Sequence, residues 1–127
     1  MRLLLDTQIF LWFLDDERSI PAVARDAMHG EDSEIFVSAA AVWEAAIKAS
    51  LGRLDIAADA VRRLPRLIKA SGFAELPVLA RHAAAVHDLP WHHRDPFDRL
   101  MVAQARTESL TLVTTDPQIR RYDVSCL

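Results

Sequence analysis

A chain of 127 residues, 51% hydrophobic and 26% charged, has the size and composition of one globular domain and excludes a disordered segment. The formal net charge of −3 excludes an overall basic nucleic-acid binder, although 13 of the 15 basic residues are arginine, the side chain suited to phosphate. The single cysteine, Cys126, excludes an internal disulfide and a zinc pattern, no apolar run is long enough for a bilayer, and Asp6 breaks the opening run too early for a signal peptide, so a cytoplasmic location is expected.

Taken in order, Arg2 to Leu5 reads as a short buried strand ending at Asp6-Thr7. Ile9 to Leu14 is too densely apolar for a strand after a polar break and reads as a short buried helix. A polar loop over Asp15 to Ser19 leads to a helix from Pro21 to His29, stopped by Gly30. Ile35 to Val37 is a second strand, and Ser38 is a suitable N-cap for a helix from Ala39 to Ser50. Asp55 to Ala70 is helical in composition, with Pro65 a kink or a break between two helices. Glu75 to Val78 is a brief third strand that Pro77 confines to an edge, and Leu79 to His87 is another helix.

The stretch from His92 to Ala105 organises the rest. Asp95 before Pro96 is a helix start, an acceptor followed by a residue with fixed φ and no N–H to lose. Phe97, Leu100, Met101 and Ala105 then form one apolar stripe, and Asp98 falls in the first turn, where a capping-box-like closure with Asp95 would account for it. Thr111 to Thr114 is a strand ending at Thr115-Asp116-Pro117, and Val124 to Leu127 is a possible last one. Strands alternating with helices imply an α/β layered fold over residues 1–127, with a mainly parallel sheet of four to five strands.

Ligands of such a sheet bind at the carboxyl ends of its strands. Asp6 and Asp116 directly follow strands, and Asp98 begins the helix feeding the penultimate strand, so all three fall on one edge. Helix capping accounts for each of them separately. Glu44 is harder to dismiss: at about 100° per residue it shares a row with Ala40, Ile47 and Leu51, and an acid on an apolar row needs a partner or a metal. Its structural alternative is an exposed pair with Lys48 one turn on. Four neighbouring carboxylates stay ionised only beside a cation, and hard oxygen donors suit Mg2+ or Mn2+ rather than zinc. A metal held this way activates water and stabilises a phosphodiester transition state, as a nuclease or phosphatase requires.

Four blocks carry a family resemblance: Leu4-Leu5-Asp6-Thr7, Ser38 to Lys48 around Trp43-Glu44, Asp95-Pro96-Phe97-Asp98-Arg99-Leu100, and Thr114-Thr115-Asp116. In this order and at these separations the chain resembles the PIN-domain family, and within it the VapC-type toxins of bacterial toxin–antitoxin pairs. The resemblance implies a PIN-like three-layer α/β/α fold and a metal-dependent endoribonuclease acting by metal-activated water. It makes Asp6, Glu44, Asp98 and Asp116 the Mg2+- or Mn2+-binding quartet. It further implies an RNA substrate, a cognate antitoxin and a homodimer; Trp12, Phe13 and Trp43 are exposed-looking residues on short helices that suit such contacts, while Trp12 and Trp43 read most simply as core or interface residues.

Supporting roles fall to Thr7, Thr114 and Thr115, whose hydroxyls can bond the carboxylates, to Asp95, and to Arg99, either at phosphate or on the solvent face. His82, His87, His92 and His93 show no nucleophile or metal spacing and read as surface or loop residues. Two other functions compete. One is a PIN nuclease of RNA or DNA processing outside any toxin pair. The other is a non-catalytic receiver-like switch, which needs a lysine near the strand ends, whereas Lys48 and Lys69 lie within helices. Only Gly30, Gly52 and Gly72 are present, so no phosphate-cradling glycine loop exists.

Overall fold

Leu3, Leu4 and Leu5 are all without accessible surface, as only a strand covered on both faces allows. They lie on β1 (Arg2–Leu5), at the centre of a sheet that the computed structural model, which describes residues 1–127, shows to be four-stranded and all parallel. The other strands are β2 (Glu34–Ser38), β3 (Ala74–Leu76) and β4 (Thr111–Val113), in the order β3-β2-β1-β4. Leu5 is aligned with Val37 on one side and with Val113 on the other, so the three strand ends are level. Six helices complete a PIN-like α/β/α fold: α1 (Thr7–Asp15), α2 (Ala22–Met28), α3 (Ala39–Ser50), α4 (Ala58–Ala70), α5 (Ala80–Ala85) and α6 (Pro96–Glu108).

The connectivity selects the functional edge. From β1 the chain steps to β2 and then β3 on one side, and only afterwards places β4 on the other side of β1. The order therefore reverses between β1 and β4, and a crevice opens at their carboxyl ends. Asp6 and Asp116 are the acids that follow those two strands.

Local chemistry explains the helix starts at this edge. The Ser38 hydroxyl accepts from the Ala40 amide at 3.0 Å and begins α3 where it was expected. Asp95 accepts from the amides of Phe97 and Asp98 at 2.9 and 3.0 Å and begins α6. A fully buried Gln104 then fixes α6 against the sheet, accepting from Ser38 Oγ at 2.6 Å and donating to the Pro77 carbonyl at 3.2 Å. One side chain thus ties α6 to the start of α3 and to the segment after β3.

Several elements differ from the sequence reading. α4 begins at Ala58 rather than Asp55 and runs unbroken through Pro65, which sits on the exposed face. α5 stops at Ala85, and residues 86–88 tighten into a 3-10 turn. The C-terminal residues add no fifth strand: a single parallel bridge joins Cys126 to Leu112. His82 is not a surface residue but fully buried. Its Nδ1 accepts from the Leu79 amide at 2.9 Å, and its Nε2 meets Glu108 at 2.8 Å. Trp12 and Phe13 pack partly buried against the core, whereas Trp43 is 58% exposed and stands edge-on to Phe97.

Candidate metal centre

Asp6, Glu44, Asp98 and Asp116 line one cavity of about 310 Å³, with Thr7, Lys48, His93, Asp95 and Thr115 among the other side chains in its wall. Four elements, β1, α3, α6 and β4, deliver the acids there, each for a local reason. Asp6 leaves β1 in extended backbone and caps α1, accepting from the Ile9 amide at 2.8 Å. Glu44 lies on α3, 4% exposed, as its apolar row required. Asp98 occupies the first turn of α6, and Asp95 immediately precedes that helix. Asp116 follows β4 and accepts from the Gln118 amide at 2.8 Å, closing a turn.

Glu44 is both buried and paired. Its Oε1 accepts from the Thr7 hydroxyl at 2.5 Å and its Oε2 pairs with Lys48 Nζ at 2.5 Å. The Lys48 pair expected on an exposed face is therefore present but faces the cavity, and the lysine is at the strand-end crevice after all. Hydrogen bonding to Glu44 holds the Lys48 ammonium above its ordinary pKa, against the opposing effect of burial.

His93 also departs from the loop role expected of it. Its Nε2 stands 2.9 Å from Asp98 Oδ2 and 3.2 Å from Asp116 Oδ2, bridging the two acids. The signal available in the sequence was position alone, since His93 lies two residues before the Asp95 cap that turns the chain into the site. Arg99 departs further. It is 3% exposed, is absent from the cavity wall, and donates to the carbonyls of Val86, Leu89 and Pro90 and to the Tyr122 hydroxyl. Neither the phosphate nor the solvent-face reading of Arg99 holds, because the 86–93 segment folds over it.

The three threonines divide. Thr7 holds Glu44, while Thr114 is buried and accepts from the Asp116 amide at 3.0 Å. Thr115 lines the cavity. The expected capping-box closure between Asp98 and Asp95 is not made: Asp95 bonds the Asp98 amide, but the Asp98 carboxylate turns to His93.

The cluster carries the electrostatic cost of its arrangement. Burial, reinforced by Asp95 and Glu44, raises the Asp98 carboxyl from 3.8 to about 7, with His93 opposing. Burial likewise raises Asp6, against the Thr114 hydroxyl and the Ile9 amide, and the charges of Asp116 and Glu44 add to the rise. A cation offsets both causes, and the donors fit one. Ligand atoms of His93, Asp98 and Asp116 lie within 4.8 Å of one another, as do those of Glu44, Asp95 and Asp98. Asp98 belongs to both groups. Oxygen donors dominate, which suits Mg2+ or Mn2+ better than zinc.

The family model of the PIN domain matches residues 3–125. This chain belongs to the PIN domain family. No curated protein matches the sequence. Among solved structures, the fold is similar to VapBC2 from Rickettsia felis bound to a DNA fragment from their promoter, with a TM-score of 0.74 at 15% identity over 100% of this chain and 98% of that one. It is also similar to DNA-bound VapBC from Salmonella typhimurium, with a TM-score of 0.71 at 15% identity over 100% and 97% of the two chains. A more distant likeness is to the PIN domain endonuclease Utp24, with a TM-score of 0.52 at 16% identity over 94% of this chain and 74% of that one. The PIN fold accounts for the parallel sheet with its acids at the β1/β4 edge, and it displaces the receiver-like alternative.

Proposed function

We propose that this PIN-domain protein, residues 1–127 acting as one domain, is a Mg2+- or Mn2+-dependent endoribonuclease and the toxin of a toxin–antitoxin pair. The observation that carries the reading is the convergence of Asp6, Glu44, Asp98 and Asp116 on one cavity, with Asp98 raised to about 7 by burial and by its neighbours' charges. Capping explains Asp6 and Asp116 one at a time; it explains neither Glu44 on α3 nor the Asp98 carboxylate, which bonds no amide.

Asp98 and Asp116 with His93, and Asp98 and Glu44 with Asp95, form the two donor groups that would hold the ion, and Asp6 lines the same cavity. A divalent metal in such a site supplies Lewis acidity for the hydrolysis of a phosphodiester. The side chains do the positioning. Thr7 and Lys48 fix both oxygens of Glu44, so this carboxylate points into the cavity in one orientation. The Lys48 ammonium adds positive charge where a phosphate would otherwise meet only acids. His93 holds the facing oxygens of Asp98 and Asp116 together, and its imidazole can carry a proton between those carboxylates and the cavity.

Likeness to the VapBC assemblies supports a toxin that is covered by an antitoxin; its working as a homodimer in the cytoplasm is part of the proposal and rests on no neighbour. The weaker likeness to Utp24 supports the second reading, a PIN nuclease outside any such pair. Co-purification of a small co-encoded protein separates the two. For the chemistry, partner-free protein is incubated with total cellular RNA in Mg2+, Mn2+ or EDTA. Cleavage is expected only with metal, and Asp6→Asn, Glu44→Gln and Asp98→Asn should each lower it by orders of magnitude. Equal cutting by wild type and Asp6→Asn, or none by wild type with any divalent metal, overturns the nuclease reading.

A further inference from the structure

Trp91 is 76% exposed, the most exposed of the large apolar side chains, and it lies two positions before His93 of the cavity wall. Its indole is nevertheless not loose. The Arg99 guanidinium sits 3.8 Å from the ring centroid and covers one face. Arg99 is itself immobilised, with Nη1 donating to the Pro90 carbonyl at 2.9 Å and to the Tyr122 hydroxyl at 3.1 Å, and Nη2 donating to the carbonyls of Val86 and Leu89 at 3.3 and 3.4 Å. Tyr122 fastens the other side of the segment: its hydroxyl accepts from the His93 amide at 3.0 Å, and its ring meets His92 edge-on. A buried cation and a buried tyrosine thus clamp a short loop that ends in the site at His93 and carries a flat aromatic ring facing water.

We propose that Trp91 is a stacking platform for an unpaired base of the RNA substrate, on the nucleotide next to the one at the metal centre. The inference rests on the nuclease reading above and adds the residue that holds the base. With one face covered by Arg99, the exposed area of the ring lies on the opposite face and the edges. A single open face of fixed orientation fits a planar base better than it fits a protein hot spot, where a tryptophan is enclosed in a pocket. The guanidinium behind the indole adds positive charge to a site that must attract a polyanion to an acidic cavity. The spacing also fits. Trp91 and His93 are two positions apart, with only His92 between them, so their Cα atoms are no more than ~7.6 Å apart. Stacking selects unpaired nucleotides of any identity, so this platform makes the enzyme prefer single-stranded or looped RNA over duplex.

The test uses the full chain, free of any partner, and a fluorescein-labelled single-stranded oligoribonucleotide in EDTA, so that binding is read without cleavage. Trp91→Ala is expected to weaken binding by about tenfold or more, the usual effect of removing one stacked base–aromatic contact. Trp91→Phe keeps a ring over Arg99 and should retain most of the affinity, which also controls for folding. Tryptophan emission of the wild type should be quenched by the RNA, and that quenching should be lost in Trp91→Phe although Trp12 and Trp43 remain. With Mg2+, Trp91→Ala should raise KM while leaving kcat close to wild type. If the wild type cuts RNA and Trp91→Ala binds and cuts it equally well, stacking is overturned and the nuclease reading stands. If Trp91→Ala keeps its RNA affinity but loses self-association or capture of a co-encoded protein, the ring is a protein contact and the proposal fails. If the wild type neither binds nor cuts RNA, the nuclease reading fails and the platform with it.

Discussion

Asp98→Asn should change how the stability of the protein depends on pH, with the metal removed. The native Asp98 carboxyl is raised from 3.8 to about 7, so between those values the folded protein holds a proton that the unfolded chain has released. Stability then falls as pH rises through that window and levels off above about 7. Each pH unit of displacement corresponds to ~1.4 kcal/mol, so the whole displacement amounts to at most about 4 kcal/mol. The side chain is only 16% exposed, which limits the solvent screening of this figure. Asparagine cannot ionise and keeps an acceptor for His93. At pH 4 the two proteins should be close in stability. At pH 7.5 the variant should be ahead by up to about 4 kcal/mol, a rise in Tm on the order of 10 °C.

Thermal melts of both proteins from pH 4 to 8 in EDTA give the difference curve, which cancels the groups that do not interact with Asp98. Adding Mg2+ at pH 7.5 is the second arm. An ion that binds only the folded cluster stabilises the wild type by mass action, about 2.7 kcal/mol at a hundred times its Kd, and should do much less for the variant. Parallel pH curves for the two proteins would refute the account of Asp98, and so would a variant less stable at every pH. Wild type that ignores Mg2+ would refute the metal centre separately.

Two further outcomes follow from the hydrogen bonds. Arg99→Ala leaves the carbonyls of Leu89 and Pro90 without their donor under a folded segment, and should lower unfolding stability in urea by about 3 kcal/mol; a loss below about 0.5 kcal/mol would mean that the segment is held by other contacts. Asp6→Ala should cost about 1 kcal/mol as a lost N-cap, whereas Asp6→Asn should cost almost nothing because asparagine caps as well, although both should lower cleavage by orders of magnitude. Equal stability of the two Asp6 variants would show that the cap contributes nothing.

What could be read in the sequence follows the range of the interactions involved. Ser38 and Asp95 start their helices through bonds to amides two and three residues away, so α3 and α6 were legible at their first residues. The β1 strand was legible because three consecutive leucines have few other uses. Arg99 and His82 were not, because nothing near them in the chain says that residues 86–93 will cover one or that Glu108 will meet the other. Lys48 was half legible. Helical phase places it beside Glu44, but that both face the cavity depends on Thr7 and the start of α1, thirty-seven residues away from Glu44.

For Asp6 and Asp116 the sequence offers capping and metal binding as alternatives, and the geometry allows both. A carboxylate has two oxygens. Asp116 gives Oδ1 to the Gln118 amide and keeps Oδ2 toward His93, while Asp6 gives Oδ1 to Ile9 and still lines the cavity. The bonded oxygen fixes the direction of the other, so the helix start acts as the mount for the ligand. For Asp6 the Ile9 amide lowers the carboxyl pKa, opposing the larger rise from burial. Asp98 has no such mount. Its one partner is His93, and it carries the pKa displaced to about 7. The acid that caps nothing is therefore one whose carboxyl burial and neighbouring charges displace to about 7, and a helix cap cannot supply the reason for placing a carboxylate there.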